Sequence, residues 1–297
     1  MMNTRAPPVD SLDHLSDPHF RALAEVIEAR VGIKMPPSTS PMIEGRLRKR
    51  VRALNLENVD DYAKYIFDLG HLEQELPDLI DCVTTNKTDF FREPAHFEFL
   101  RDVAVPSLLK ARGARSANLK IWSAACSTGA EVYTLAMVLQ EMSLARSQFR
   151  FSILGTDISN DVLQEARSAI YPREFIAAVP EPMRKRYVMI AREAKRDAAR
   201  IAPELRARTR FERLNLMDDP YPVDDNVDVI FCRNVLIYFD RPTQHAVVQR
   251  LVSHLRPGGF LILGHSESMA ASGVLGISQI MPTVFVARAS SARKSAA

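Results

Sequence analysis

The stretch IWSAACSTGAEVYTLAMVL, Ile121 to Leu139, reads as an apolar strand, a tight turn with a single glycine, and then a helix. An open parallel sheet binds ligands beyond the carboxyl ends of its strands, where such a turn points backbone N–H groups outward. Ala124, Ala125, Ser127 and Gly129 are small enough to let a ligand approach the backbone. The G-x-G-x-x-G dinucleotide fingerprint is absent, Gly129 standing alone. Glu131 in the mouth of the turn repels phosphate and suits a ligand with an ammonium group.

The flanking sequence extends the same rim. FSILGTDIS is a second strand ending in Asp157, an acid placed to accept hydrogen bonds from ribose hydroxyls. Asp157 could instead cap the next helix, although Ser159 is an equally good cap. LNLMD (214–218) follows a third strand and could bracket an adenine, and CRNVLIYFD ends a fourth with polar and aromatic groups. This set fits S-adenosylmethionine better than NAD or ATP.

Strands are expected near 119–125, 151–157, 210–215, 227–232 and 259–264, and helices near 130–143, 160–169 and 241–255. A terminal hairpin is expected at 277–287. The alternation implies a mostly parallel sheet with helices on both faces. Between Tyr171 and Arg210 the rhythm breaks. YVMI and ARIA are short and strand-like, separated by the charged turn REAKRD, and predict a small inserted helix plus β-ribbon.

Upstream the pattern is helical. Phe20, Leu23, Ala24, Ile27 and Val31 share a face, and Gly32 ends that helix. Ser40-Pro41 starts another, lined by Ile43, Leu47, Val51 and Leu54. Two more helices are expected at about 58–69 and 71–83. These residues predict an all-α domain over 1–85, a connector within TTNKTDFFREP (84–94) that links the domains over 86–94, and an α/β domain over 95–297 that opens with a helix at about 95–112. Residues 1–16 and the tail ASSARKSAA read as disordered ends.

The chain of 297 residues is 46% hydrophobic and 25% charged, enough for a core without disulfides or metal. Three cysteines without a C-x-x-C pair argue for a reduced, cytoplasmic protein and against a zinc site. No apolar run approaches the roughly 18 residues that span a bilayer, and the N-terminus has no apolar signal core. A net charge of +3 is too weak to imply nucleic acid. RLRKRVR (46–52) gathers Arg46, Arg48, Lys49, Arg50 and Arg52 around an apolar stripe. Residues 1–85 carry ten Lys/Arg against fourteen Asp/Glu, so this patch is local. It is either a solvated helix face or a dock for an acidic helix. Without interleaved aromatics it does not suit RNA.

Five stretches together, NKTDFFRE, WSAACSTGAE, GTDIS with DVLQEARSAIY, FCRNVLIYFD and GGFLILGHSE, resemble the bacterial chemotaxis receptor methyltransferases of the CheR family, in the family's order and over nearly the whole chain. The resemblance implies a seven-stranded, Rossmann-like S-adenosylmethionine-dependent methyltransferase sheet with an antiparallel last strand, an N-terminal all-α domain and an inserted β-subdomain at 171–210. Asn86, Thr88 and Arg92 would reach the cofactor from the connector. Ala124 and Glu131 would contact its methionine part, Asp157 its ribose, and Asn215 and Leu216 its adenine. Asn234 and Tyr238 would line the methyl-transfer pocket, with Arg92 and Tyr238 as the catalytic pair. Where the family has E-P-Y-S, this chain has Glu131-Val132-Tyr133-Thr134.

The implied reaction is methyl transfer to glutamates on the cytoplasmic helical domain of chemoreceptors, with S-adenosylhomocysteine as product, no metal, and a monomeric enzyme without direct membrane insertion. A carboxylate of pKa about 4.3 is already ionised at neutral pH and needs no general base. His265, beside Glu267, reads as a structural end-of-strand histidine, and Cys126 and Ser127 as small residues rather than nucleophiles. Phe90 and Phe91 read as anchors of the connector against the sheet. In some family members the inserted ribbon tethers to a receptor C-terminal pentapeptide; here REAKRDAAR lacks the glycines that go with that use. The rival readings are a methyltransferase for small molecules or nucleic acid, and a non-catalytic sensor of the cofactor or its product.

Overall fold

The computed structural model describes residues 14–113, 117–145, 149–191 and 197–288. The expectations for residues 1–13, for most of the REAKRD turn and for the tail from 289 lie outside them. The chain divides into two units, Met1–Thr85 and Asn86–Ala297.

Among its described residues the first unit has four α-helices, α1 Asp17–Val31, α2 Ser40–Ala53, α3 Val59–Phe67 and α4 Leu72–Val83, with a 3-10 turn Pro37–Thr39 before α2. Gly32 closes α1 with φ 78°, its N–H donating to Glu28 O. Asn58 caps α3 by accepting from Asp61 N. Phe20, Leu23, Ile27, Ile43, Leu47, Val59, Tyr62, Ile66 and Leu79 are buried, and they include the stripes that the periodicity predicts. The basic run on α2 divides in two. Arg46 Nη1 donates to Val83 O and Thr84 O at 2.8 and 2.9 Å. Arg50 forks onto the buried Glu75 at 3.0 and 2.9 Å. These two half-buried arginines tie α2 to α4 and its C-cap, while Arg48, Lys49 and Arg52 are exposed.

The second unit opens with α5 Ala95–Phe99 and α6 Val105–Arg112, joined by a π-helical turn at Leu100–Ala104. Then come β1 Ala117–Ala124, α7 Ala130–Ala145, β2 Phe149–Asp157 and α8 Asn160–Ser168. A small antiparallel sheet follows, built from β3 Ile170–Pro172, β4 Val188–Ile190 and β5 Ala198–Ile201 in the order β3-β5-β4. It is interleaved with the short helices α9 Arg173–Ile176, α10 Glu181–Tyr187 and α11 Pro203–Arg206. The sequence predicts the ribbon of β4 and β5 but not β3, because three residues after a helix carry no periodic signal. The main sheet resumes with β6 Thr209–Arg213, β7 Val227–Cys232, α12 Arg241–Ser253, β8 Leu255–Leu263, β9 Ile277–Met281 and β10 Val284–Ala287.

The seven-stranded order is β6-β2-β1-β7-β8-β10-β9. The pairs of β1 with β2 and β7, of β2 with β6 and of β7 with β8 are parallel, and the last strand, β10, is antiparallel to both its neighbours. All six residues of β7 are buried, as a central parallel strand requires. The connection from β6 to β7 contains no helix, so residues 214–226 pass as a loop. The sheet switches direction of winding between β1 and β7, and the C-terminal ends of β1, β2 and β7 meet there.

Asp228 anchors the other end of β7. It is wholly buried and accepts from Arg112 Nη2 at 2.6 and 2.8 Å, Lys120 N at 2.8 Å and Arg256 Nη1 at 3.2 Å. Asp228→Ala leaves two guanidinium groups and a strand N–H without their acceptor. It should lower unfolding stability by about 3 kcal/mol. Urea denaturation with an unchanged midpoint would show that this cluster is not a strand anchor.

Candidate active site

The turn after β1 is built from left-handed backbone. Ala125, Ser127 and Gly129 have φ 58°, 51° and 85°. Alternating such residues turns successive N–H groups to one side and makes a small electropositive concavity. At Gly129 a Cβ would sit 2.9 Å from Ala166 Cβ, so glycine is needed for space as well as for φ. Ala124, at the strand's end, is fully buried.

Asp157 closes this concavity. Its Oδ2 accepts from Ser127 N at 2.8 Å and its Oδ1 from Ser159 N at 3.0 Å. The N-cap of α8 is Ser159, whose Oγ accepts from Val162 N. A carboxylate oxygen can accept more than one donor. Ser127 Oγ donates to Asn86 O at 2.9 Å and ties the start of the connector to the turn. Burial pushes the Cys126 thiol well above its ordinary pKa, with Asp157 and Glu131 adding to the effect, so it is no nucleophile at neutral pH.

Glu131 lies in the first turn of α7, where the helix dipole favours an anion. Its Oε1 accepts from Ser123 Oγ at 2.7 Å and its Oε2 from Arg233 Nη1 at 2.9 Å. Arg233 immediately follows β7 and is 7% exposed. It also pairs with Glu93 Oε2 at 3.1 Å and donates to Arg92 O at 2.5 Å, and its guanidinium carbon lies 5.5 Å from the Phe97 ring centroid. Neither Arg233 nor Glu93 stands out as a site residue in the sequence. The available signal is an arginine directly after a largely apolar strand, which must find anions if it is buried. Burial pushes the Glu93 carboxyl up, but Arg233 and an Asn234 hydrogen bond outweigh this and hold it below its ordinary pKa.

The end of β7 is shaped by a second acid that sequence reasoning misses, Glu267. It is 3% exposed. Its Oε1 accepts from Leu236 N at 2.7 Å, and its Oε2 from Asn234 N at 2.8 Å and Gly264 N at 2.7 Å. Asn234 has φ 60°, and its Nδ2 donates to Glu93 Oε1 at 3.2 Å. Gly264 is needed because a Cβ there would lie 2.9 Å from Asn234 N. Tyr238, half-buried, ends the short 3-10 helix Leu236–Tyr238 that these bonds hold.

The connector is fixed through its backbone. Phe91 N donates to Thr134 Oγ1 at 3.1 Å, so the residue standing in place of the family's serine does useful bonding. Arg92 Nη1 folds back onto Lys87 O at 3.0 Å. Phe90 packs edge-on against Tyr171 and Phe175 of the inserted subdomain, and Phe91 against Phe97, so the anchors hold the subdomain and α5. Asn86 and Thr88 are half-buried. Asn215 Oδ1 accepts from Met217 N at 3.0 Å, and Leu216 O accepts from Tyr221 Oη at 2.8 Å, which shapes the 214–226 loop. His265 follows the end of β8 and is exposed, its ring edge-on to His96 at 5.1 Å.

A small-residue turn after β1 and an acid ending β2 are what a nucleoside-binding sheet of this topology offers, and the family matches place it among the S-adenosylmethionine-dependent methyltransferases. The SAM binding domain of CheR methyltransferases matches residues 86–282, and the all-alpha domain of CheR methyltransferases matches residues 18–84. A chemotaxis protein methyltransferase of Borreliella burgdorferi is 34% identical over 96% of this chain and 99% of its own length. One from Escherichia coli is 37% identical over 86% of each chain, and chemotaxis protein methyltransferase 2 of Pseudomonas aeruginosa 36% over 86% of this chain and 88% of its own. The chain belongs to the CheR methyltransferase family.

Glu267→Gln tests the scaffold. An amide must present its NH2 to at least one of the three N–H donors, and a buried mismatch of this kind costs about 1–3 kcal/mol. The variant should melt lower and lose methyl transfer together. Unchanged melting and turnover would show that the β7 end holds its shape without this carboxylate.

Proposed function

We propose that the chain is a protein-glutamate O-methyltransferase that esterifies glutamate side chains on the cytoplasmic helical domain of chemoreceptors and releases S-adenosylhomocysteine. The observation that carries this reading is the match of both CheR domains, over residues 18–84 and 86–282. A methyltransferase for small molecules or nucleic acid, or a mere sensor, is not favoured by that match. Among the described residues no helix is long and apolar enough to cross a membrane.

The residues present fit the cofactor. The left-handed turn offers N–H groups, Asp157 offers a carboxylate to ribose hydroxyls, and Glu131 offers an anion to an ammonium group. When bound, S-adenosylmethionine supplies a methyl group activated by its sulfonium. The chain's own work is positioning. Ala124 and the turn would flank the methionine part, Asn215 and Leu216 the adenine, and Asn86, Thr88 and Asn234 the remaining edge. The substrate glutamate is an anion at neutral pH, so what it requires is alignment and loss of water rather than a base. Arg92 would attract the carboxylate and Tyr238 would orient it.

Transfer of a tritiated methyl group to chemoreceptors in membranes, released by mild alkali as an ester would be, tests the reading. Cofactor binding without such label would sink it. Tyr238→Phe removes one hydroxyl and little volume. Loss of a hydrogen bond made only in the transition state should lower kcat about tenfold and leave cofactor affinity unchanged. Equal turnover would reduce Tyr238 to packing.

Recognition of the acidic receptor helices belongs to Arg48, Lys49 and Arg52, the exposed part of the α2 run. Exposed charges of this kind act over about 8 Å at physiological ionic strength. Reversing all three to Glu should depress receptor methylation and flatten its salt dependence. Cofactor affinity should survive, since every proposed cofactor residue lies in Asn86–Ala297. Normal methylation by the triple variant at low salt would mean that the receptor is held elsewhere.

A further inference from the structure

Beside the site, Glu93, His96 and His265 bring three ligand atoms within 4.8 Å of one another. Glu93 ends the connector, His96 lies in α5, and His265 follows β8. His96 is 4% exposed. Its Nε2 lies 2.9 Å from Thr283 Oγ1, and that hydroxyl lies 2.6 Å from Pro282 O. A hydroxyl has one proton, so with that proton on Pro282 O it accepts from His96 Nε2–H. This assigns the neutral tautomer in which the His96 Nδ1 lone pair is free. Nδ1 is buried, makes no hydrogen bond, and lies 3.4 Å from Glu93 Oε2. Two lone pairs facing one another repel unless a cation lies between them.

We propose that Glu93 Oε2, His96 Nδ1 and His265 Nε2 bind a divalent cation of the zinc class. Tetrahedral zinc with bonds of about 2.0–2.1 Å holds its ligands about 3.4 Å apart. The Glu93–His96 pair already has that spacing, at 3.4 Å. His265 Nε2 stands 3.8 Å from Glu93 Oε2, and its exposed side chain can close the difference. Two imidazoles and one carboxylate suit a borderline cation better than magnesium or calcium, which prefer oxygen. Thr283 acts as the outer partner that fixes the His96 tautomer. It holds that place from a left-handed backbone, φ 63°, which a β-branched residue rarely adopts. Arg233 sits 3.1 Å from the same Glu93 oxygen, but Glu93 and Glu131 together outweigh its charge, so the cluster can accept a cation. An ion there would pin the connector and α5 to the end of β8, beside the proposed cofactor groups.

Zinc chloride titrated into the metal-free full chain, read by calorimetry and by thermal melting, tests this. One ion should bind and raise the melting temperature, and cobalt should give the visible absorption of a tetrahedral site. His265→Ala removes an exposed ligand without touching the core and should weaken zinc at least about tenfold. His245→Ala, an exposed histidine outside the cluster, should not. No stoichiometric zinc on the wild-type chain, or a smaller loss for His265→Ala, overturns the proposal.

Discussion

The site depends on one buried cation. Arg233 stands between Glu131 at the start of α7 and Glu93 at the end of the connector, and also holds the Arg92 carbonyl. Removing a guanidinium from water is expensive, and only close anions with good geometry repay it. Two carboxylates at 3.1 and 2.9 Å, with the Phe97 ring near the guanidinium, provide that. The same pairing solves the opposite problem for the acids. Two carboxylates brought together at the mouth of a sheet would repel; with Arg233 between them they become a cross-brace that positions both.

The brace joins parts of the chain far apart in sequence. Arg233 is 102 residues from Glu131 and 141 from Arg92. Closing loops of that length costs entropy, which the packed sheet around β7 must offset. Several non-glycine residues around it hold left-handed backbone: Phe91, Glu93, Ala125, Ser127 and Asn234. Such conformations cost on the order of 1 kcal/mol or more each and persist where surrounding bonds over-determine them. Here those bonds can be named: Thr134 on Phe91 N, Asp157 on Ser127 N, and Glu267 on Asn234 N.

The sequence is informative wherever a local rule governs. The strand–turn–helix at Ile121–Leu139, the acid ending β2, the helical faces of the first unit and the β4–β5 ribbon each follow from periodicity or turn chemistry over a few residues. The misses share a cause. That Arg46 and Arg50 also bond to α4 and its C-cap depends on a second helix whose approach no pattern in α2 encodes. Glu267 reads as a residue after a strand until Gly264, Asn234 and Leu236 are seen to converge on it. Arg233 lies inside the FCRNVLIYFD stretch and still carries no local signal of its role, because its worth lies in partners on other elements.

The carboxylate nucleophile of the proposed reaction would place an unusual demand on such a site. It arrives ionised, so an enzyme gains little by proton transfer and much by holding the anion in line and dry. Yet a pocket already rich in Glu93, Glu131, Asp157 and Glu267 would repel that anion. The geometry resolves this by giving each resident acid donors of its own. Glu131 and Glu93 share Arg233, Asp157 accepts from the N–H groups of Ser127 and Ser159, and Glu267 from those of Leu236, Asn234 and Gly264. Each resident acid is thereby held in place, and the excess of negative charge that Glu93 and Glu131 leave over Arg233 is what a bound cation would offset before a further carboxylate arrives. The cation proposed to meet it is Arg92, whose guanidinium donates to the carbonyl of Lys87 and, among the described residues, to no carboxylate, so that the anion would meet a donor group not already shared with a resident acid.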